Sequence, residues 1–259
     1  MTTHIIAVAN QKGGVGKTTV TINLALNMAA KQKRTLVIDL DPSNDAGSIL
    51  APELKDNADF LSGTHPANVM NMFEKKDVSP YVQSEYLHVI GSCKKLGNVS
   101  HDNMMNFLDA IDEIADSGEY DMIFMDCPPS IGVQQHTALC GANHVLIISQ
   151  AQKSSVKSVD ELMTTVRQIR RRINPNLNVL GIVLNQVETQ KNNHQTEQIN
   201  KLRNDYTQLV FEARLNKTVK VTEASSESKS LSDFMPGHAE RFGFNDFLDE
   251  FQRRLESDS

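Results

Sequence analysis

At 259 residues with 39% hydrophobic content, the chain can bury one sizeable core, and two full domains would be crowded. Its net charge of -6 excludes a protein that coats nucleic acid with its whole surface but leaves room for a local basic face. No apolar run reaches about 18 residues, so no spanning helix is expected. Residues 1–4 lead straight into an apolar strand pattern rather than a leader, and the chain reads as soluble and cytoplasmic. Cys93, Cys127 and Cys140 are odd in number and irregularly spaced, which gives neither a disulfide framework nor a metal-binding pair. Without Trp and with 5% aromatic residues, the chain lacks a stacking platform for single-stranded nucleic acid.

In chain order, short apolar runs at 4–9, 35–39, 86–90, 121–126, 144–149, 177–185 and 208–215 predict seven strands. Helical periodicity predicts helices over 17–30, over 103–116 ending before Gly118, over 155–173 closed before Pro175, and over 244–255. The Ser-rich stretch 223–232 reads as loop or irregular helix. Strand and helix in alternation predict an α/β fold: a doubly wound, mostly parallel twisted sheet flanked by helices, in a single domain spanning 1–259. Charge is uneven along it: residues 1–150 carry -7, residues 151–229 carry +5 and residues 230–259 carry -4.

Residues 11–19 read QKGGVGKTT and sit between the first strand and the first helix, the setting a phosphate-binding loop requires. Gly13, Gly14 and Gly16, with Val15 between them, let backbone N–H groups close around phosphate oxygens. Lys17 then reaches the β and γ phosphates, Thr18 offers a hydroxyl to Mg²⁺, and Thr19 can bond the α phosphate. Asp39 and Asp41 follow the second strand, and Asp126 ends the run MIFMD ahead of Cys127. Carboxylates at the carboxyl ends of buried strands are where such sheets place ligand chemistry, so the candidate metal ligands are Thr18, Asp39 and Asp126.

The loop departs from the ordinary phosphate-loop pattern at Gln11 and carries an additional lysine, Lys12. This deviant Walker A resembles the loop of the ParA/MinD family of dimerising ATPases, a P-loop NTPase fold. The resemblance continues in DLDP at 39–42, DCPPSIG at 126–132, VLIISQ at 145–150, GIVLNQ at 181–186 and the segment 217–231, similar to that family's basic strand-to-loop element. It implies that Lys12 serves the nucleotide of a partner subunit, that Asp41 positions the attacking water, that Asp126 acts on Mg²⁺ and that Asn185 bonds the adenine edge. It further implies ATP and Mg²⁺ as ligands, an ATP-held homodimer, nonspecific double-stranded DNA as a partner, nucleoid association, and a ParB-like or other cargo adaptor that stimulates hydrolysis. The loop starts only ten residues in, so the helix-turn-helix region of longer plasmid relatives is not expected.

An acidic chain can bind duplex only through gathered basic groups, which singles out Lys201, Arg203, Lys217, Lys220 and Lys229 in the +5 block. Two rival readings are a MinD-like membrane-cycling regulator and an ATP-dependent small-molecule synthetase of the same superfamily. The first needs a basic amphipathic anchor, whereas residues 244–259 are acidic, and their stripe Phe244, Phe247, Leu248, Phe251 and Leu255 reads as core packing, so no membrane partner is expected.

Overall fold

The computed structural model describes residues 3–190 and 193–257. From the amino end, β1 (His4–Ala9) leads through the glycine loop into α1 (Lys17–Ala30) and back to β2 (Thr35–Asp39). Three short helices follow, α2 (Asp45–Leu50), α3 (Ala58–Ser62) and α4 (Met70–Phe73), and then a hairpin of β3 (Tyr81–Ser84) and β4 (Leu87–Ile90). Alternation resumes with α5 (Met104–Asp116), β5 (Met122–Asp126), α6 (Val133–Gly141), β6 (His144–Ser149) and α7 (Lys153–Arg172). It continues through β7 (Asn178–Val187), α8 (Asn193–Tyr206) and β8 (Val210–Asn216). The remaining helices are α9 (Lys220–Ser226), α10 (Leu231–Phe234), α11 (Pro236–Arg241) and α12 (Phe244–Ser257).

The strands form one sheet in the order β3-β4-β2-β5-β1-β6-β7-β8. β3 runs antiparallel to β4, and every other neighbouring pair is parallel. Alternate side chains of a strand point to opposite faces, and β1 supplies both cores accordingly. Ile5, Ala7 and Ala9 join Phe107, Leu139, Leu162 and Leu202 from α5 to α8. Ile6 and Val8 join Val20 and Leu24 of α1 and Phe247 and Phe251 of α12. The chain leaves β1 for β2 on one side, and β6 lies on the other, so the crevice at the carboxyl end of β1 is a topological switch point.

The seven expected strands all form, with bounds moved by at most two residues. The eighth, β3, is a four-residue edge strand whose side chains alternate between half-buried and exposed, so it carries no apolar run to read. Among the helices, α8 escapes the periodic pattern because its buried residues are only Gln198, Ile199 and Leu202. The segment read as a basic strand-to-loop element is corrected: β8 ends at Asn216, and Lys220–Ser226 turn as a helix with Ala224 and Ser225 buried. The stripe of α12 is buried as expected, against β8 and α1.

The edge strand β8 is closed by α12. Its register against β7 passes from Ile182↔Val210 to Leu184↔Arg214, which leaves extra residues on β8 in a bulge. Both N–H groups of that bulge, from Glu212 and Ala213, donate to the buried Glu250 carboxylate at 3.0 and 2.9 Å. Arg254 bonds the same carboxylate at 2.8 Å and donates to the carbonyls of Leu180, Leu209 and Val210. Its guanidinium lies 4.1 Å above the Phe211 ring. A Cβ at Gly181 would fall 2.7 Å from Arg254 Nη1, so glycine is required there by close approach. Arg254→Ala strands the Glu250 charge and should lower unfolding stability by about 3 kcal/mol in urea titrations, whereas Arg253→Ala, one residue away, should change it by less than about 0.5 kcal/mol.

Candidate nucleotide-binding site

The glycine loop is shaped by side-chain amides at the ends of three strands. Asn10, fully buried, donates to the Ile148 carbonyl at 2.6 Å and accepts the Lys12 N–H at 2.9 Å, which ties the loop to β6. Gln150 and Gln186 each donate to the Gly14 carbonyl at 3.1 Å, and Asn185 donates to the Val15 carbonyl at 2.8 Å. Gly14 and Gly16 adopt positive φ of 74° and 92°, and a Cβ at Gly16 would lie 2.3 Å from the Asn185 amide. With the carbonyls drawn outward, no protein acceptor among the described residues meets the N–H groups of Gly13, Gly14, Gly16 or Lys17. Sequence reasoning missed Asn10, Gln150 and Gln186. It assigned Asn185 to a base edge, whereas here its amide braces the loop.

Lys17 is buried at the mouth of α1, and among the described residues its ammonium has one hydrogen-bond partner, the Lys12 carbonyl at 3.3 Å. Burial lowers its pKa, against the pull of Asp126, Cys127 and Asp41. Thr18 donates to Asp126 at 2.6 Å and Thr21 to its other oxygen at 3.3 Å, so hydroxyl and carboxylate stand side by side. Asp39 sits behind this pair: its two oxygens accept the N–H groups of Asp41 and Gly47, at 2.9 and 3.0 Å, and it is fully buried. It therefore shapes the turn carrying Asp41, whose carboxylate caps Ser43 N–H at 2.9 Å and whose carbonyl accepts from the Ser92 hydroxyl.

Desolvation raises the pKa of Asp39, with the Asp126 charge adding to it, and desolvation raises that of Asp126, where Thr18 and Lys17 oppose the effect and Asp41 adds to it. Burial also pushes the Cys127 thiol up, which keeps it neutral, and Cys93 and Cys140 are likewise buried and unpaired. Thr18 and Asp126 fit a hard cation that keeps most of its own waters. No group of three or more His, Cys, Asp or Glu side chains is placed to hold a metal among the described residues.

Lys12 lies apart from the loop's interior. Its ammonium is ringed by Gln152 Oε1 at 2.7 Å, Ser154 Oγ at 3.0 Å, Ser155 Oγ at 3.1 Å and Gln150 Oε1 at 3.4 Å, all neutral acceptors between the end of β6 and the first turn of α7.

The five basic candidates are not gathered. Lys201 stands on α8 facing α7, while Arg203, two residues on, reaches the Glu212 carbonyl at the β8 edge. Lys217 follows the carboxyl end of β8, and beyond it Lys220 pairs with Glu223 at 2.6 Å and Lys229 with Glu227 at 3.0 Å.

A raised carboxylate binds its proton more tightly folded than unfolded. Its charging therefore removes stability as pH climbs from the ordinary carboxylate range through the raised value. Asp126→Asn deletes that loss but keeps a partner for the Thr18 hydroxyl. In magnesium-free, nucleotide-free protein the variant should melt above its parent at pH 8 by differential scanning fluorimetry, with the gap closing towards pH 5.

A family profile described as an AAA domain matches residues 3–179. The chromosome partitioning protein ParA of Myxococcus xanthus is 33% identical over 235 residues, covering 88% of this chain and 80% of that protein. Among solved structures, apo McdA of Cyanothece superposes with a TM-score of 0.80 at 17% identity, covering 98% of this chain and 99% of that one. The cobyrinic acid a,c-diamide synthase of Mycobacterium smegmatis with bound ADP and magnesium gives 0.70 at 23% identity, covering 90% and 92%. These two structures share the fold of this chain, an eight-stranded, mostly parallel sheet flanked by helices. On the family profile and the ParA relative, the chain belongs to the ParA-type partition ATPases.

Proposed function

We propose that the chain binds ATP with magnesium, dimerises around it, binds duplex DNA as the dimer and is released when a cargo-bound adaptor of the ParB kind stimulates hydrolysis. The observation that carries this reading is the loop interior, where backbone N–H groups with no acceptor among the described residues and a buried lysine bonded to the Lys12 carbonyl converge beside the Thr18–Asp126 pair. Such a pocket lacks only an anion, and the polyphosphate of a nucleotide supplies it. Magnesium, held by Thr18 and through water by Asp126, would neutralise charge on the phosphates during transfer. Asp41 lies on a turn fixed by Asp39 and Ser92, which supports its role in orienting the attacking water. Lys12, held on neutral oxygens at the rim, is free of the loop's own pocket and available to a nucleotide on a second subunit. Gly13 through Thr19 hold the phosphates, and the Asn185 brace sets the loop that carries them.

The membrane-cycling alternative finds no support in α12, because the apolar stripe that would enter a bilayer is already buried in the core. No helix among the described residues is long and apolar enough to cross a membrane.

Lys12→Gln should leave nucleotide binding by the monomer within about two-fold but abolish ATP-dependent dimerisation in sedimentation, whereas Lys17→Ala weakens nucleotide binding itself. Asp41→Ala should retain ATP and the dimer but lose turnover. The parent should turn over slowly alone, since a completing partner in related phosphoryl-transfer systems supplies about 10³-fold or more. A Lys12→Gln protein that dimerises and hydrolyses like its parent would sink the two-subunit site.

A further inference from the structure

A groove of about 650 Å³ runs between the first turns of α7 and the side of α8, lined by Lys153, Ser154, Val156, Lys157, Asp160 and Lys201. Two of its three cations are without a carboxylate partner: among the described residues no carboxylate lies within ion-pair distance of Lys153 or Lys201, and the Lys157–Glu161 contact is 3.5 Å between exposed side chains. The one acid in the lining, Asp160, accepts the Tyr206 hydroxyl at 2.5 Å. By contrast, Lys220 and Lys229 each have a glutamate of their own.

We infer that this groove, rather than the ion-paired Lys220 and Lys229, seats the sugar-phosphate backbone of duplex DNA. The inference rests on the duplex binding proposed above and assigns it a surface. Lys153 and Lys157 stand one helical turn apart, about 6 Å along α7, and Lys201 faces them from α8, so three point charges meet a strand whose phosphates recur every ~3.4 Å of axis. The lining holds no aromatic ring to stack an unpaired base. Its one apolar residue, Val156, is buried and offers no wedge to a lipid surface. Lysines and a serine hydroxyl recognise phosphate without reading sequence. Ser154 belongs to both the groove and the ring around Lys12, at 3.0 Å from its ammonium. Movement of Lys12 towards a second subunit therefore changes the partners of the groove wall, which gives nucleotide state a direct route to the DNA surface.

The test compares full-length parent, Lys153→Gln/Lys157→Gln/Lys201→Gln and Lys220→Gln/Lys229→Gln, each with ATP and magnesium and each checked for dimerisation by sedimentation. The probe is a short duplex of arbitrary sequence, titrated across salt. The groove variant should dimerise normally, bind duplex on the order of ten-fold or more weakly at moderate salt, and show a salt slope shallower by about three per chain. The other variant should stay within about two-fold of the parent. The single changes Lys153→Gln and Lys201→Gln should each lower the slope by about one per chain, which keeps the test decisive if the triple variant fails to fold or dimerise. A parent that binds duplex together with groove variants that bind equally well overturns the groove alone. A parent that dimerises on ATP and binds no duplex overturns the DNA reading and the groove with it. Lysine-dependent binding of vesicles rich in phosphatidylserine, with none of duplex, also overturns the assignment.

Discussion

Turning several N–H groups of one loop towards one point requires that their carbonyls be held away from it, and three neutral amides do this while a fourth, Asn10, ties the loop to β6. Asn10, Gln150, Asn185 and Gln186 stand at the ends of β1, β6 and β7, which the parallel sheet brings side by side. Their neutrality matters as much as their reach. A carboxylate placed within the loop would repel the anion that the N–H groups attract, and here the nearest one, Asp126, is engaged by the hydroxyls of Thr18 and Thr21. The sheet order thus has a chemical consequence, since β1 has β5 with its acid on one flank and β6 with its amides on the other.

The two loop lysines are held in opposite ways. Lys17 is buried and, among the described residues, bonds one carbonyl, so its charge is poorly compensated within the chain. Lys12 has four partners, every one neutral and two of them exposed contacts. Hydrogen bonds from a charged donor to neutral oxygens are worth about 1.5–3 kcal/mol each after exchange with water, less where the contact is exposed, and breaking them leaves no charged acceptor stranded. A lysine in a carboxylate pair would leave a bare carboxylate behind. The Lys12 ring thus stores the side chain in a known place and lets it go without stranding a charged acceptor.

The sequence made most of the sheet legible because strands buried on both faces read as unbroken apolar runs, and MIFMD and HVLIIS are of that kind. The loop was legible because glycines, lysines and threonines must follow one another in the chain for that chemistry. Its braces were not: an Asn or Gln at a strand end carries no periodic signal, and Gln150 matters only because β6 lies beside β1. Asp39 reads in sequence as a candidate metal ligand, and only the fold shows that the N–H groups of Asp41 and Gly47 occupy it. The basic block misled for a related reason. Net charge per segment counts Lys220 and Lys229 in full, whereas their glutamate neighbours at short spacing cancel much of the local field, and Lys153 and Lys157 draw no notice until α8 brings Lys201 alongside.

The edges of the sheet restrict where a second copy can meet the first. On β8 the bulge N–H groups are taken by Glu250, which Arg254 holds in place, so that edge offers little to an incoming strand. At the other end β3 is four residues long and irregularly paired with β4, too short a template for stable extension. The helices on both faces spend their apolar stripes on the two cores. On the rim at the carboxyl ends of β1, β5, β6 and β7, the loop N–H groups, without protein acceptors among the described residues, lie together with Lys12 and the segment that leads into α7. In the dimer proposed above, association would use that rim, where loop N–H groups without protein acceptors among the described residues favour a shared anion. The lysine groove opens from the same segment of α7, so any event that joins two rims also sets two grooves at a fixed separation, the arrangement in which a few weak phosphate contacts per chain combine on one duplex.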